Sequence, residues 1–142
     1  MNFCYPYPRP AVTVDAVVFR EMERQWQILL IQRKNEPFLG MWALPGGFVD
    51  MDETLEESAA RELSEETGLS GIHLKQLHTF SAVDRDPRHR TITTVFMGIL
   101  QDHSKSPMAG DDASAAAWFL ISQLPTLAFD HKEVIEMAIM KL

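Results

Sequence analysis

Two glutamates that lie one helical turn apart are the residues of this sequence best suited to chemistry. On a helix that advances ~100° per residue, Leu55, Ala59 and Leu63 fall on one face, which should turn toward the core. Glu62 and Glu66 fall within about 20° of Leu55 on the same wheel, so they should point inward as well. Unpaired carboxylates in such a place would cost several kcal/mol, and their like charges repel. A cation between them would remove both costs.

The chemistry that this pair predicts is the binding of a divalent metal ion. Carboxylates are hard oxygen ligands, which suit Mg²⁺ or Mn²⁺ better than zinc. The competing interpretation is that an acidic helix simply has a solvated face, and this accounts for Glu56 and Glu57. It does not account for the two glutamates that share the apolar face. Arg61 and Glu65 lie further round the helix as i, i+4 neighbours, close enough to pair.

The elements that must position these residues belong to an α+β layered fold. The metal-holding helix is predicted over Thr54–Thr67, because helix formers fill it and Gly68 follows as a left-handed cap. A second helix is predicted over Asp130–Leu142, with Asp130 as N-cap. The predicted strands are Ala11–Phe19, Trp26–Gln32, Ile72–Val83, Thr91–Leu100 and Ala116–Ile121, with a charged turn over Arg20–Arg24. Strands and helices do not alternate regularly, which argues against a doubly wound parallel sheet.

The spacing of glycine, acidic and basic residues around the first helix resembles a known family pattern. Every required position of the Nudix box is filled, by Gly47, by Glu53 and by the run Arg61–Leu69. The resemblance implies the Nudix fold, in which a mixed β-sheet is sandwiched between α-helices. It also implies metal-dependent hydrolysis of the pyrophosphate bond of a nucleoside diphosphate derivative.

The resemblance also assigns roles to single residues. Glu62 and Glu66 are expected to bind the metal, which is Mg²⁺ with Mn²⁺ as a possible substitute, and Glu65 lies close by as a further ligand or catalytic group. The carbonyl of Gly46 is expected as another ligand. Arg61 and Glu53 are expected to orient the carboxylates.

A carboxylate outside the helix is wanted as a catalytic base, and in this family it comes from a variable downstream loop. Asp111 and Asp112 are the candidates here, because they precede the Ala116–Ile121 strand. The alternative is that they form a polar turn after Gly110. That loop contains no glutamate, so the identity of the base stays open.

The substrate is suggested by two segments that resemble the ADP-ribose pyrophosphatase branch of the family, Trp42–Gly47 and Arg85–Arg88. Arg85, Arg88 and Arg90 form the cationic cluster of an acidic chain, and arginine forks bind phosphate in a bidentate way. The alternative is that Arg85 and Arg88 pair with Asp84 and Asp86 and brace the loop. Three aromatic rings are candidates for stacking on a base, although each is more often a core residue: Phe38, Trp42 and Phe80.

The expected reaction is the conversion of ADP-ribose to AMP and ribose 5-phosphate. Within the same class, the box equally allows a nucleoside triphosphate or another nucleotide-sugar as substrate. A different class is a non-catalytic ADP-ribose-sensing module, as in related transcription regulators. Those carry a winged-helix domain after the Nudix domain, and the roughly twenty residues after Ile121 are too few for one.

Length and charge set the remaining expectations. The 142 residues are predicted to form a single domain, with 1–10 as an extended arm. The net charge of −7 disfavours nucleic acid as a partner. One cysteine, no signal-peptide pattern and no run of about 20 apolar residues favour a cytoplasmic protein that is not bound to a membrane. Relatives in this branch also suggest a homodimer.

Overall fold

The computed structural model describes residues 2–110 and 113–142 of the chain. Within these ranges the strands are β1 (Ala11–Met22), β2 (Gln25–Arg33), β3 (Trp42–Ala43), β4 (Gly46–Phe48), β5 (Lys75–Phe80), β6 (Thr91–Ile99) and β7 (Ala113–Leu120). The helices are α1 (Leu55–Thr67) and α2 (His131–Ile139). Neither helix of the described ranges has the length and apolar character needed to cross a membrane.

The sheet lies between the two helices because its central strands are apolar on both faces. Phe19 of β1 packs toward α2, where it belongs to the same buried cluster as Val134. Its neighbour Val18 points to the other face and packs with Leu63 of α1. Successive strand residues point to opposite faces, so an uninterrupted apolar run fills both layers. β1 pairs with β6 in parallel and with β2 in antiparallel fashion. The predicted mixed sheet sandwiched between helices is confirmed.

The sheet splits between β1 and β2, and this split makes room for a site. β6 runs along one edge of β1. The other edge of β1 pairs with β4 at residues 13–15 and with β2 at residues 19–22. β2 likewise pairs with β1 at residues 25–28 and with β3 at residues 31–32, while β7 covers its opposite edge. The two strands therefore separate beyond their shared hairpin, and a cleft opens between them.

The hairpin turn is tighter than the sequence predicts. The predicted turn over Arg20–Arg24 is too long, since β1 continues to Met22 and β2 begins at Gln25. Glu23 and Arg24 form the two-residue connection with φ of 53° and 66°. Positive φ at both central residues matches the right-handed strand twist, but Asn-Gly is the usual signal for it. A Glu-Arg pair does not indicate such a turn.

Other boundaries also differ from the prediction. β5 is shorter than Ile72–Val83, and β7 begins before Ala116, at Ala113. α2 ends at Ile139, and its N-cap Asp130 makes no capping hydrogen bond with its side chain. The Asp130 carboxylate instead accepts two hydrogen bonds from Arg85, at 2.9 and 2.7 Å. The Asp130 side chain thus forms an ion pair with Arg85 and does not cap the start of α2.

Candidate active site

The candidate site is a cavity of about 430 Å³ at the split in the sheet. Strands, loops and both helices supply its walls. The lining includes Thr13, Asp15, Ile31, Arg33, Leu44, Gly46, Gly47, Phe48, Glu62, Glu66, Arg85, Asp86, Arg88, Phe129 and His131. The sequence thus brings residues from both ends of the chain to one opening.

Helix α1 begins and ends where local chemistry dictates. The Thr54 side chain accepts a 3.1 Å hydrogen bond from the N–H of Glu57, and the Glu57 carboxylate accepts a 2.9 Å bond from the N–H of Thr54. This reciprocal capping box satisfies two donors at the helix start. Gly68 ends the helix at φ 77°, a conformation that glycine adopts without strain. Ala59 and Leu63 are buried as the helical wheel predicts.

Glu66 is buried at the inner end of the cavity. Its Oε1 accepts a 2.9 Å hydrogen bond from the N–H of Gly46. Burial raises the pKa of Glu66 to about 8, and the neighbouring charge of Glu62 pushes it in the same direction. Burial also raises the pKa of Glu62. The inward placement of both carboxylates is therefore as the sequence predicts, and the pair resists being charged at the same time.

Strand β4 lies directly against the carboxylate of Glu62 at Gly47. A Cβ atom at position 47 would lie 2.5 Å from Oε1 of Glu62. Such a contact is far inside van der Waals distance, so any larger side chain would displace the carboxylate. This close contact with the Glu62 carboxylate explains why the motif has a glycine at position 47.

Arg61 donates hydrogen bonds to three glutamates, Glu53, Glu62 and Glu65. Its guanidinium donates to both carboxylate oxygens of Glu53, from Nε at 2.9 Å and from Nη2 at 2.6 Å. Nη1 donates to Glu62 at 2.9 Å and to Glu65 at 3.1 Å. The hydrogen bonds from Arg61 lower the pKa of Glu53 to about 2. In return the Glu53 carboxylate raises the pKa of Arg61. Arg61 and Glu53 therefore lie where they can orient Glu62, and exposed Glu65 points to this arginine.

The donor set fits a hard divalent cation only in part. Glu62 and Glu66 offer carboxylate oxygens in a half-enclosed cavity, which suits Mg²⁺ or Mn²⁺. No group of three His, Cys, Asp or Glu side chains converges to hold a metal within residues 2–110 and 113–142. Asp111 and Asp112, the candidate bases, lie outside the described residues. Gly110, which precedes them, donates a 3.0 Å hydrogen bond to the carbonyl of Glu66.

A buried polar network, which the sequence does not indicate, joins α2 to the loop before Gly46. Nδ1 of His131 accepts a 3.0 Å hydrogen bond from the N–H of Leu44. Its Nε2 lies 3.7 Å from Oδ1 of Asp15, whose Oδ2 accepts a 2.7 Å bond from the Thr93 hydroxyl. Because Nδ1 accepts a hydrogen bond from an N–H, it carries no proton, and the proton of the ring lies on Nε2. Burial lowers the pKa of His131 and so favours the same neutral form. The partners are 87 residues apart, beyond the reach of any local pattern.

Residues 9–138 match the NUDIX domain. The chain belongs to this family. It is 48% identical over 130 residues to an ADP-ribose pyrophosphatase of Methanocaldococcus jannaschii, covering 92% of this chain and 73% of the relative. It is 36% identical to the ADPR responsive transcriptional repressor NtrR of Acinetobacter baylyi, covering 96% of this chain but 56% of the repressor.

Solved structures agree with this family. A MutT/nudix family protein from Enterococcus faecalis superimposes with a TM-score of 0.89 and 35% identity, covering 99% of this chain and 64% of that one. The NUDIX domain of Shewanella oneidensis NrtR, crystallised with ADP ribose, gives a TM-score of 0.87 and 35% identity, covering 95% and 90%. The split sheet is thus the Nudix architecture.

The three arginines singled out in the sequence have different surroundings in this Nudix fold. Arg85 is buried and paired with Asp130, not with Asp84. Arg88 donates to Asp86 from Nε at 3.1 Å and from Nη2 at 2.8 Å. Both line the cavity, whereas Arg90 is absent from its lining and donates to the Ser81 carbonyl at 2.7 Å. Of the three arginines, Arg88 pairs with an aspartate of its own loop, as the alternative expected, while Arg85 pairs with Asp130 outside that loop.

The aromatic rings at the Nudix cavity are not those chosen from the sequence. Trp42 packs edge-on against Phe119 at 4.7 Å between centroids, and Phe80 packs against the buried cluster under α2. Neither ring lines the cavity, because both face the core on that side of the sheet. Phe48 and Phe129 line it instead. Phe38 lies behind, 4.8 Å from the ring of Phe129.

Proposed function

We propose that this chain hydrolyses the pyrophosphate bond of ADP-ribose to give AMP and ribose 5-phosphate. The observation that carries the proposal is the placement of Glu62 and Glu66 in a cleft, with Glu66 buried and held by the N–H of Gly46. Like-charged groups in this position need a cation, and phosphates bound by that cation would lie beside them. The pyrophosphatase relative and the NUDIX domain crystallised with ADP ribose support this substrate.

The cofactor we propose is Mg²⁺, with Mn²⁺ as a substitute. Glu62 and Glu66 would hold it, with Glu65 and the Gly46 carbonyl as further ligands. When bound, such an ion neutralises phosphate oxygens and lowers the pKa of a coordinated water. Arg61 would orient the carboxylate of Glu62, since it donates a 2.9 Å hydrogen bond to it, and this bond opposes the rise in the pKa of Glu62 that burial causes.

The reaction itself adds water across the P–O–P bridge. A new bond forms between the water oxygen and one phosphorus, and the bond from that phosphorus to the bridging oxygen breaks. The water must lose a proton, and we propose Asp111 or Asp112 as its acceptor. The bridging oxygen leaves on the second phosphate, so the products are two phosphomonoesters.

A second candidate is a module that binds ADP-ribose without turning it over. It is favoured by the similarity to NtrR, whose name describes a repressor that responds to ADPR. The intact acidic set of Glu53, Glu62, Glu65 and Glu66 supports turnover over sensing. The two candidates differ in one measurable property, which is product formation with metal present.

The test is a substrate panel assayed with Mg²⁺ and with Mn²⁺. ADP-ribose, NADH, dinucleoside polyphosphates and nucleoside triphosphates are compared by kcat/KM. We expect ADP-ribose to exceed the others at least about tenfold, a discrimination worth roughly 1.4 kcal/mol in the transition state. The matched control is Glu56→Gln, which alters an exposed acid of the same helix. Equal rates across the panel would exclude ADP-ribose as the preferred substrate, and binding without products would favour the sensing module.

A further inference from the structure

Two arginines and a phenylalanine form a cationic cluster in the same cavity as the glutamate pair. The cluster consists of Arg33 from the end of β2, Arg88 from the loop before β6, and Phe129 from the residues before α2. The guanidinium carbons of Arg33 and Arg88 lie 5.0 and 5.7 Å from the centroid of the Phe129 ring. Both distances are within the range of cation–π attraction. The cavity therefore carries carboxylates and guanidiniums in one space.

Arg33 differs from its cationic neighbours in what its side chain already binds. Arg85 and Arg88 each donate two side-chain hydrogen bonds to an aspartate carboxylate. Arg33 donates from Nε to the carbonyl of Pro37 at 2.7 Å. Within the described part of the chain, its Nη1 and Nη2 groups meet no acceptor. This leaves the outer edge of a positioned guanidinium available to a ligand.

The surroundings of Arg33 contain charges of both signs. Burial lowers the pKa of Arg33, and the charge of Arg88 lowers it further, while the carboxylates of Glu66, Asp86 and Glu36 act in the opposite direction. Phe129 adopts φ 52°, a conformation that a bulky side chain rarely takes. Such outliers persist where the surroundings fix them, and they cluster at ligand sites. Here the ring is fixed by His131 at 5.5 Å on one side.

The chemistry of the ligand follows from the guanidinium edge. Two parallel N–H donors match two oxygens of a phosphate, and a planar fork selects that geometry over a single point charge. A diphosphate can offer oxygens to a cation held by Glu62 and Glu66 and to Arg33 at the same time. The single phosphate of a product offers fewer oxygen atoms for these contacts. The cavity thus has separate contacts for the two halves of a pyrophosphate group.

We infer that Arg33, backed by Phe129 and Arg88, is a phosphate-binding residue that holds the diphosphate of the substrate through its Nη1 and Nη2 groups. This rests on the proposed function for the identity of the full substrate, but not for the anion itself. Arg33 is then the residue that recognises a diphosphate before metal is bound.

The test measures binding of inorganic pyrophosphate to the whole chain in EDTA by isothermal titration calorimetry. Arg33→Gln should weaken binding at least about tenfold, the loss expected for a charge-assisted bidentate contact. Arg33→Lys keeps the charge but not the fork, and should bind at least about threefold more weakly than the parent chain. Arg9→Gln changes the net charge equally in the exposed arm and should bind like the parent. Thermal unfolding of each variant verifies that it is folded.

Pyrophosphate affinity of Arg33→Gln equal to that of the parent would overturn the inference. Parental affinity in Arg33→Lys would overturn the fork geometry on which it depends. Hydrolysis is scored separately. If the parent chain does not hydrolyse ADP-ribose but Arg33→Gln loses pyrophosphate, the proposed function fails and the phosphate contact stands. If ADP-ribose is hydrolysed and Arg33→Gln leaves both its KM and pyrophosphate binding unchanged, the function stands and the contact fails.

Discussion

Nδ1 of His131 accepts a hydrogen bond from the backbone N–H of Leu44 across 87 residues of sequence. Leu44 lies two residues before Gly46, whose own N–H donates to Glu66. The first residue of α2 therefore fixes the backbone segment that meets the buried carboxylate. A site built on α1 depends in this way on the far end of the chain.

Replacing His131 with leucine should destabilise the protein and slow turnover. The buried N–H of Leu44 would lose its acceptor, at a cost of about 1–3 kcal/mol. Urea denaturation measures this loss, and kcat measures the effect on the site. His131→Asn, which can offer an oxygen near the position of Nδ1, should recover part of both, while His103→Leu on the surface should change neither. Unchanged stability in His131→Leu would contradict the role assigned to this bond.

Glu66→Gln should abolish turnover while leaving the fold intact. The amide keeps an oxygen for the N–H of Gly46 but loses the charge that a cation needs. The loss of kcat/KM should exceed the roughly 10–100-fold that removal of a ligand's hydrogen-bonding partner costs. Glu56→Gln serves as the matched control on the same helix. Retained activity with Mg²⁺ would count against Glu66 as a metal ligand.

Arg61→Lys should reduce kcat/KM by about 10–100-fold and raise the Mg²⁺ concentration needed for half-maximal rate. A single ammonium cannot reproduce the bidentate contact with Glu53 together with the bond to Glu62. Steady-state assays across a Mg²⁺ series separate the two effects. Arg24→Lys, in the exposed hairpin turn, is the control. An Arg61→Lys variant with the parent's metal dependence would show that orientation of Glu62 does not need the guanidinium.

The metal-free protein should become less stable as pH rises from about 5 to 8. Burial raises the pKa of Glu66 from 4.5 to about 8. Between these values the unfolded chain has released a proton that the folded chain retains, so the free energy of unfolding falls with pH. Thermal unfolding in EDTA measures the slope, and Glu66→Gln should flatten it. Equal slopes in the parent and the variant would assign the pH dependence to other groups.

Arg85→Met should mainly affect stability. The guanidinium of Arg85 is buried against Asp130, and its removal would leave that carboxylate without a counter-charge. Breaking a buried ion pair in this way costs about 3–5 kcal/mol. The double variant Arg85→Met with Asp130→Asn should recover part of the loss in urea denaturation. A large rise in KM with unchanged stability would instead favour the alternative that Arg85 clamps the substrate.

The catalytic helix could be predicted from the sequence because its determinants are local. Helical periodicity alone places Glu62 and Glu66 on the inward face, and Gly68 marks the end. The strands were found for the same reason, since β-branched runs are local signals. The ends of the strands do not follow from such signals. In the Glu23-Arg24 turn, the backbone matches the strand twist, but the two residue types are not typical of a turn.

The rest of the cavity depends on contacts between distant segments. Phe48 and Phe129 line it, while Trp42 and Phe80 pack into the core, and no local pattern distinguishes these rings. Arg33 is the last residue of β2. Its guanidinium lies near the ring of Phe129 only because the fold brings β2 next to the segment before α2. The partner of Arg85 likewise lies 45 residues away. Such contacts depend on how distant segments are arranged in the fold, and the type of a single residue does not reveal that arrangement.

Because β1 and β2 diverge, the cavity has two kinds of wall: one whose amino-acid sequence can change without moving the backbone of the site, and one whose sequence cannot. The floor is made by paired strands and α1, so its backbone is fixed by the ladder itself. Other lining residues, among them 34–36, Arg85, Asp86 and Arg88, come from segments outside the strands. Substitutions in these segments should leave the acidic centre in place, since loops tolerate change that strands do not. A scaffold of this kind can diversify its substrates while conserving one hydrolytic reaction.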